Sequence, residues 1–426
     1  MISRRDGGEL PPDFEIRSGI SPAMHILFVH QNYPAQFGHI ARCLSERPGV
    51  RCSFVSEVPP GIDGKVERLQ YRIQGGATAQ THFFSRTFEN NIWHAHAVYE
   101  SLKNRPDIRP DLIVGHSGFG STVLLRELLD AKIINYFEYY YHTKNSDMDF
   151  RPDFPCSELS RLRARCRNAM ILLDLENCDR GHSPMKWQRD QLPSAYRGKV
   201  DVIFDGIDMA VWRCMTDLPR RIGTLTFPEG VKIVSYATRG MESMRGFDIF
   251  MRFAKQLGDR HPDVQFVVAG QDRVCYGGDE SVTGGKSFKN WVLDQDQYDL
   301  SRIHFVGLLP PTELARLFNI TDLHVYMTVP FVLSWSLFNA LACGATVLAS
   351  DTAPVREVIR DGENGLLVDF FDVEGMIERA ERVLASPQTY RPLGQAGTEL
   401  IRGRYSLDVC LPQMLTLYES VLGTSI

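Results

Sequence analysis

Residues 325–371, VYMTVPFVLSWSLFNALACGATVLASDTAPVREVIRDGENGLLVDFF, read as a strand, an apolar loop, a helix, a second strand and a returning loop in close order. The strand runs are short and almost unbroken, as in a parallel sheet covered on both faces. The same alternation repeats outward. In the second half apolar runs fall at 232–237 (KIVSYA), 264–270 (VQFVVAG), 303–307, 323–327, 346–350 and 365–368. In the first half they fall at 25–30 (HILFVH), 52–56, 111–116 (DLIVGH), 132–137 (KIINYF) and 200–204. A helical pattern follows each, so the fold class is α/β, with two Rossmann-like doubly wound domains.

A chain of 426 residues exceeds what one core usually serves. The expected boundaries are a first domain at 24–205, a linker at 206–229 carrying Gly206, Pro219, Gly223 and Pro228, and a second domain at 230–405. The amphipathic stretch at 406–426 packs on a side that periodicity leaves open. Residues 1–23 are polar and rich in Gly and Pro, and read as a disordered arm or an upstream start, with the folded part beginning at Met24.

Composition narrows the function. With 43% hydrophobic and 23% charged residues and a net charge of -5, the chain folds and carries no global basic field. A nucleic-acid partner is disfavoured, and any anion site is local. Nine cysteines are scattered without a C-x-x-C pair, which reads as reduced thiols and a cytoplasmic location. No apolar run reaches the length of a membrane span.

Several phosphate and metal signatures fail. Gly284-Gly285-Lys286-Ser287 ends like a phosphate loop, but Glu280 stands where its first glycine belongs. Gly115, Gly118 and Gly120 follow a strand at spacings that do not match a dinucleotide fingerprint. His94 and His96 lack a visible third ligand, so no metal site is expected.

The opening segment resembles the donor-site core of glycosyltransferase family 4: Ala340-Leu-Ala-Cys-Gly344 before an apolar strand, then Glu357, then Asp361-Gly362-x-x-Gly365-Leu-Leu-Val368. Upstream, Arg239-Gly240 and Arg245-Gly246 are similar to that family's Gly-Arg and Lys-Gly pair, with Arg245 in the lysine's place. Asn32-Tyr-Pro34-Ala-Gln36-Phe-Gly38-His39 resembles its glycine-bearing loop, and Val202 to Asp208 its strand-to-linker junction, with Asp205 for the commoner asparagine.

The resemblance implies GT-B architecture, two domains facing across a cleft. It also implies retaining transfer from a nucleotide-diphosphate sugar, bound as substrate with no cofactor, to a hydroxyl acceptor. The acceptor class (glycan, lipid-linked or small molecule), base, sugar and oligomeric state stay open. Two cations beyond a strand end suit a departing diphosphate, because fixed donors stabilise the charge it develops. The helix start near Ser334 adds free amides and a favourable dipole. Together these stand in for a metal.

The expected donor residues are therefore Gly38, Arg239, Arg245, Gly307, Leu308, Phe331, Val332, Leu333, Ser334 and Asn339. The last two families of contacts carry the departure from the pattern. The family's two glutamates, eight positions apart, are replaced by Phe331 and Asn339. Asn339 still offers hydrogen bonds to ribose hydroxyls, whereas Phe331 shifts sugar contacts to the amides of Val332, Leu333 and Ser334.

Catalytic expectations fall on Arg239, Arg245 and Glu138, the last standing where many members place a histidine. A carboxylate there orients or partly deprotonates an acceptor hydroxyl, or steadies positive charge on the sugar ring; its alternative is a solvated strand-end residue. Gln36, His39, His116 and Glu138 form the acceptor side. Arg161, Arg163, Arg165 and Arg167, at steps of two, scatter around a helix axis and read as a solvated face, with weak peripheral membrane contact as a secondary expectation. Against the transferase stand a nucleotide-sugar sensor or scaffold, motivated by Phe331 and Asn339, and, ranked last, a sugar-nucleotide epimerase.

Overall fold

The structure is a computed structural model and describes residues 24–426. The first sheet contains β1 (Met24–Val29), β2 (Val50–Ser56), β3 (Gly61–Asp63), β4 (Val66–Gln70), β5 (Leu112–His116), β6 (Lys132–Tyr136), β7 (Arg180–Ser183) and β8 (Val200–Val202). Its order is β3-β4-β2-β1-β5-β6-β7-β8, and only β3 runs antiparallel. A small hairpin follows, β9 (Arg221–Ile222) with β10 (Leu225–Thr226). The second sheet is parallel throughout: β11 (Lys232–Gly240), β12 (Val264–Gln271), β13 (Ile303–Gly307), β14 (Leu323–Tyr326), β15 (Val347–Ser350) and β16 (Leu366–Val368), in the order β13-β12-β11-β14-β15-β16.

Strand order reverses at β1/β5 and at β11/β14, and such switch points open a crevice beyond the carboxyl ends of the strands. Every apolar run read from the sequence forms a strand. The strands not anticipated lack such a run. Those of β4, VERLQ, alternate with charge, and β7, RGHS, is polar but buried, its Gly181 lying under the Phe137 ring where a Cβ would come within 2.5 Å.

The segment expected as a linker has structure of its own. Ile222 and Phe227 are buried in the second domain's core, and Ile207 pairs with Ser406. The final helix, Leu407–Leu422, settles its docking side by crossing back. Cys410 joins the second core, and Met414, Leu417 and Tyr418 pack with Phe28 and Phe54 of the first.

The domains are also tied together after β6. Tyr139 sits in the second domain's core, Phe150 lies 5.3 Å from Phe370, and Phe154 lies 5.8 Å from Phe288. Between them Arg151 is buried, donating from both terminal nitrogens to Asp248 (2.8 and 2.7 Å) and to the Ser243 carbonyl (2.8 Å). In return Glu357 of the second domain accepts from the Lys186 and Trp187 amides, at 2.8 Å each, at the start of the first domain's Lys186–Asp190 helix. A helix start leaves such amides unsatisfied, and a carboxylate there answers both their hydrogen bonds and the helix dipole.

Candidate active site

The site is built from strand ends. In the second domain Arg239 lies near the end of β11, and Arg245 follows on the short Ser243–Arg245 turn. Gly246 adopts φ 62°, a left-handed conformation that glycine tolerates, and this turns the chain into the Phe247–Arg260 helix.

Arg245 is 4% exposed, donates to Thr328 Oγ1 at 2.8 Å and lies over the rings of Tyr276 (5.2 Å) and Phe331 (5.6 Å). Burial works against its charge, but Tyr326, Tyr276 and Glu242 more than offset that. No carboxylate forms an ion pair with it among the described residues. Glu242, whose charge acts on it, spends Oε2 on the amides of Cys275, Tyr276 and Gly277 at 3.0, 2.8 and 3.1 Å. That clasp holds Tyr276 against the arginine. A desolvated guanidinium with spare donors is a receptor for an anion. Arg239 is exposed beside the Tyr276 hydroxyl, which raises its pKa.

Tyr236, Thr238, Arg245, Tyr326, Ser334 and Ser336 line a small pocket here. Ser334 caps the Trp335–Ala342 helix by accepting from the Ser336 amide. Its own amide donates to Tyr326 Oη at 2.9 Å, so the expectation of a free Ser334 amide is corrected: the tyrosine hydroxyl already occupies it. The amides of Val332 and Leu333 donate to no partner among the described residues. One turn into the helix, Asn339 is buried and its Oδ1 has no hydrogen-bond partner, a cost unless a ligand donates to it. Phe331 packs edge-on against Tyr139 of the first domain at 4.7 Å. Gly307 has φ 69° at the end of β13, and Leu308 beyond it is exposed.

The first domain contributes the ends of β5, β6 and β8. Glu138, two residues beyond β6, keeps 28% of its side chain exposed. Gln36 Nε2 donates to it at 3.4 Å, and its backbone carbonyl accepts from Gln188. Burial and, next, the charge of Asp205 push its pKa up to about 7, against the pull of Gln36, Arg245 and Arg239. Those two arginines belong to the other domain, so Glu138 and the pair lie in one cleft.

His116 is 1% exposed, which corrects its placement as an acceptor contact: it lies beneath Glu138. Its Nδ1 is 2.9 Å from the Ser117 carbonyl, which assigns the proton to that nitrogen, and Nε2 faces Glu138 Oε2 at 3.9 Å with no other partner. Burial and then His30 hold it neutral. His39 is exposed near Asp208 at the start of the Gly38–Ser45 helix. A Cβ on Gly38 would meet the Pro34 ring at 2.9 Å, so close packing explains this glycine. His94 bonds the Tyr71 hydroxyl at 2.8 Å.

Asp205 joins the site although the sequence marked it only as a junction. It is buried, accepts from Trp335 Nε1 at 2.8 Å, and leaves Oδ1 without a partner. Burial raises its pKa to about 6 against the Trp335 and Tyr136 hydrogen bonds. Its substitution for asparagine was the signal. Tyr276 gave none, because it stands in a loop without periodicity.

Two Rossmann-like domains facing one another, with a buried arginine beyond the carboxyl edge of the second sheet, define the GT-B architecture. The family described as "Glycosyl transferase family 4 group" matches residues 48–212, and "Glycosyl transferases group 1" matches residues 222–400. The chain belongs to glycosyltransferase family 4. Among relatives, D-inositol 3-phosphate glycosyltransferase of Corynebacterium jeikeium is 28% identical over 41% of this chain and 38% of its own. N-acetyl-alpha-D-glucosaminyl L-malate synthase of Bacillus anthracis is 24% identical over 52% of this chain and 54% of its own. The chain thus spans about half the length of these relatives or less. In fold it is similar to sucrose-phosphate synthase from Thermosynechococcus elongatus, with TM-score 0.71, 19% identity and coverage of 94% and 99%. It is likewise similar to Anabaena Alr3699/HepE in complex with UDP-glucose, with TM-score 0.65, 13% identity and coverage of 93% and 100%. No helix among the described residues is long and apolar enough to cross a membrane.

Proposed function

We propose that the protein is a retaining glycosyltransferase that moves a sugar from a nucleoside-diphosphate donor to a hydroxyl acceptor, with no metal ion needed in the bond-breaking step. The observation that carries this reading is Arg245, buried without an ion-pair partner among the described residues, with Glu138 facing it across the cleft. The donor diphosphate lies against Arg245 and Arg239, and the amides of Val332 and Leu333 meet the sugar. Asn339 Oδ1 accepts from the ribose. The bond from the anomeric carbon to the diphosphate oxygen breaks while the arginines take up the developing charge. The acceptor oxygen bonds the same carbon on the same face, and its proton passes to the departing diphosphate. Glu138 orients the acceptor hydroxyl or steadies the ring's positive charge.

HepE is described in complex with UDP-glucose, so uridine donors come first in any panel. The test is the anomeric configuration of the product by NMR, with the reaction repeated in chelator. Retention without loss of rate supports the proposal. Inversion, or a rate abolished by chelator and restored by a divalent cation, contradicts it. Phe331 in place of an acid favours a second reading, a nucleotide-sugar sensor. Donor binding with no turnover across a broad acceptor panel would select it.

A further inference from the structure

The helix Glu158–Arg167 turns its apolar residues outward. Ala164 is its buried residue, and at roughly 100° per residue the side opposite carries Leu159, Leu162 and Cys166. Leu159 is 59% and Leu162 49% exposed. Asn168, itself helical, ends this helix and starts the next, Ala169–Asn177, where Leu172 and Leu173 are also exposed. By way of the half-buried Ala169, Leu173 follows Cys166 at steps of three and four, the spacing of one helix face.

Cations border it on both edges. Arg161 and Arg165 are exposed and form no ion pair among the described residues. On the other edge the Phe83 ring lies under both Arg163 (4.7 Å) and Arg86 (5.8 Å). Burial, then the like charges of Arg167 and Arg86, pull the Arg163 pKa down, so positive charge is crowded here without compensation. The helix's one acid, Glu158, pairs with none of them. This concentration stands on a chain of net charge -5.

Exposed aliphatic side chains edged by long cationic ones match the interface of an anionic bilayer, where leucines enter the headgroup boundary and arginines reach lipid phosphates. A protein partner is less well matched, because the edges of the face carry one sign of charge. We propose that this face seats the protein on an anionic membrane surface. Phe154, shortly before the helix, packs on Phe288 and Trp291 of the second domain, which anchors the segment that leads into this face. The proposal stands whether or not the cleft transfers sugar.

The test is sedimentation of the full chain with vesicles of phosphatidylglycerol and phosphatidylcholine, against phosphatidylcholine alone, at low and high salt. Binding only to the anionic vesicles, released by salt, is expected. Arg161→Glu/Arg165→Glu should weaken it by at least about fivefold per lost cation, and Leu159→Ser/Leu162→Ser by about tenfold. Both should keep the parent's unfolding temperature. If either double variant misfolds, Arg165→Gln alone should still give about a fivefold loss. Equal binding to both vesicle types, no binding, or binding indifferent to these variants overturns the proposal. So does lipid-free self-association that Leu159→Ser/Leu162→Ser abolishes, since the face would then be a subunit contact.

Discussion

Trp335 Nε1 donates to Asp205 Oδ2 at 2.8 Å, joining the first turn of the second domain's pocket helix to the strand end that closes the first domain. The acid held by that bond also acts on Glu138, whose pKa it helps to raise to about 7.

Asp205→Asn keeps an acceptor for Trp335 and removes the charge. The Glu138 pKa should then fall towards its ordinary value, because one of the two causes raising it is gone. In a profile of turnover against pH, the limb near 7 should move to lower pH, and Glu138→Gln should abolish it. A limb unmoved by Asp205→Asn assigns it to another group.

The same shift makes a stability prediction. The folded pKa of Glu138 lies above its ordinary 4.5, so the folded state holds a proton that the unfolded chain has released. Its contribution is present below about pH 4.5 and lost as pH rises through 7. Glu138→Gln is fixed neutral, so its stability relative to the parent should rise between pH 5 and 8, by on the order of 1 kcal/mol. Denaturant unfolding at the two pH values measures it, and a constant difference contradicts the shift.

Much of the fold was legible because buried parallel strands leave unbroken apolar runs, and residues 325–371 carry two of them around a helix. What escaped depends on distant partners. Gly181 makes β7 possible only because Phe137 needs the space. Arg245 could be read as a cation beyond a strand, but its burial depends on Tyr276, which Glu242 holds in place through backbone amides. Backbone contacts leave no residue code. The inaccessibility of His116 and the occupied Ser334 amide depend on which neighbours the folded chain brings against them, Tyr136 and Tyr326, and spacing along the sequence does not show that.

Asn339→Leu should weaken donor binding by roughly 1 to 3 kcal/mol, leaving a ribose hydroxyl unpaired in a closed site. Asn339→Glu should hold or strengthen it, since a carboxylate accepts more strongly than an amide. Calorimetric titration together with turnover checks both. If Asn339→Leu binds and transfers like the parent, Asn339 is only a packing residue.

Arg151→Ala removes the cation that Asp248 and Ser243 share across the domains and leaves Asp248 with Arg252 alone, at 3.3 Å, at a cost of about 1 to 3 kcal/mol. The loss should appear in unfolding of both domains together. If only the second domain loosens, the crossing segment does not couple them.

The central claim is that Arg245 receives a donor diphosphate, and titration of uridine diphosphate into the parent and Arg245→Ala tests it most directly, with uridine as control. The account predicts a loss of about 1.5 to 3 kcal/mol for the diphosphate, roughly ten- to a hundredfold in affinity. Arg239→Ala should act in the same direction and uridine should be unaffected. Unchanged diphosphate affinity in Arg245→Ala would contradict the account and place the donor site elsewhere.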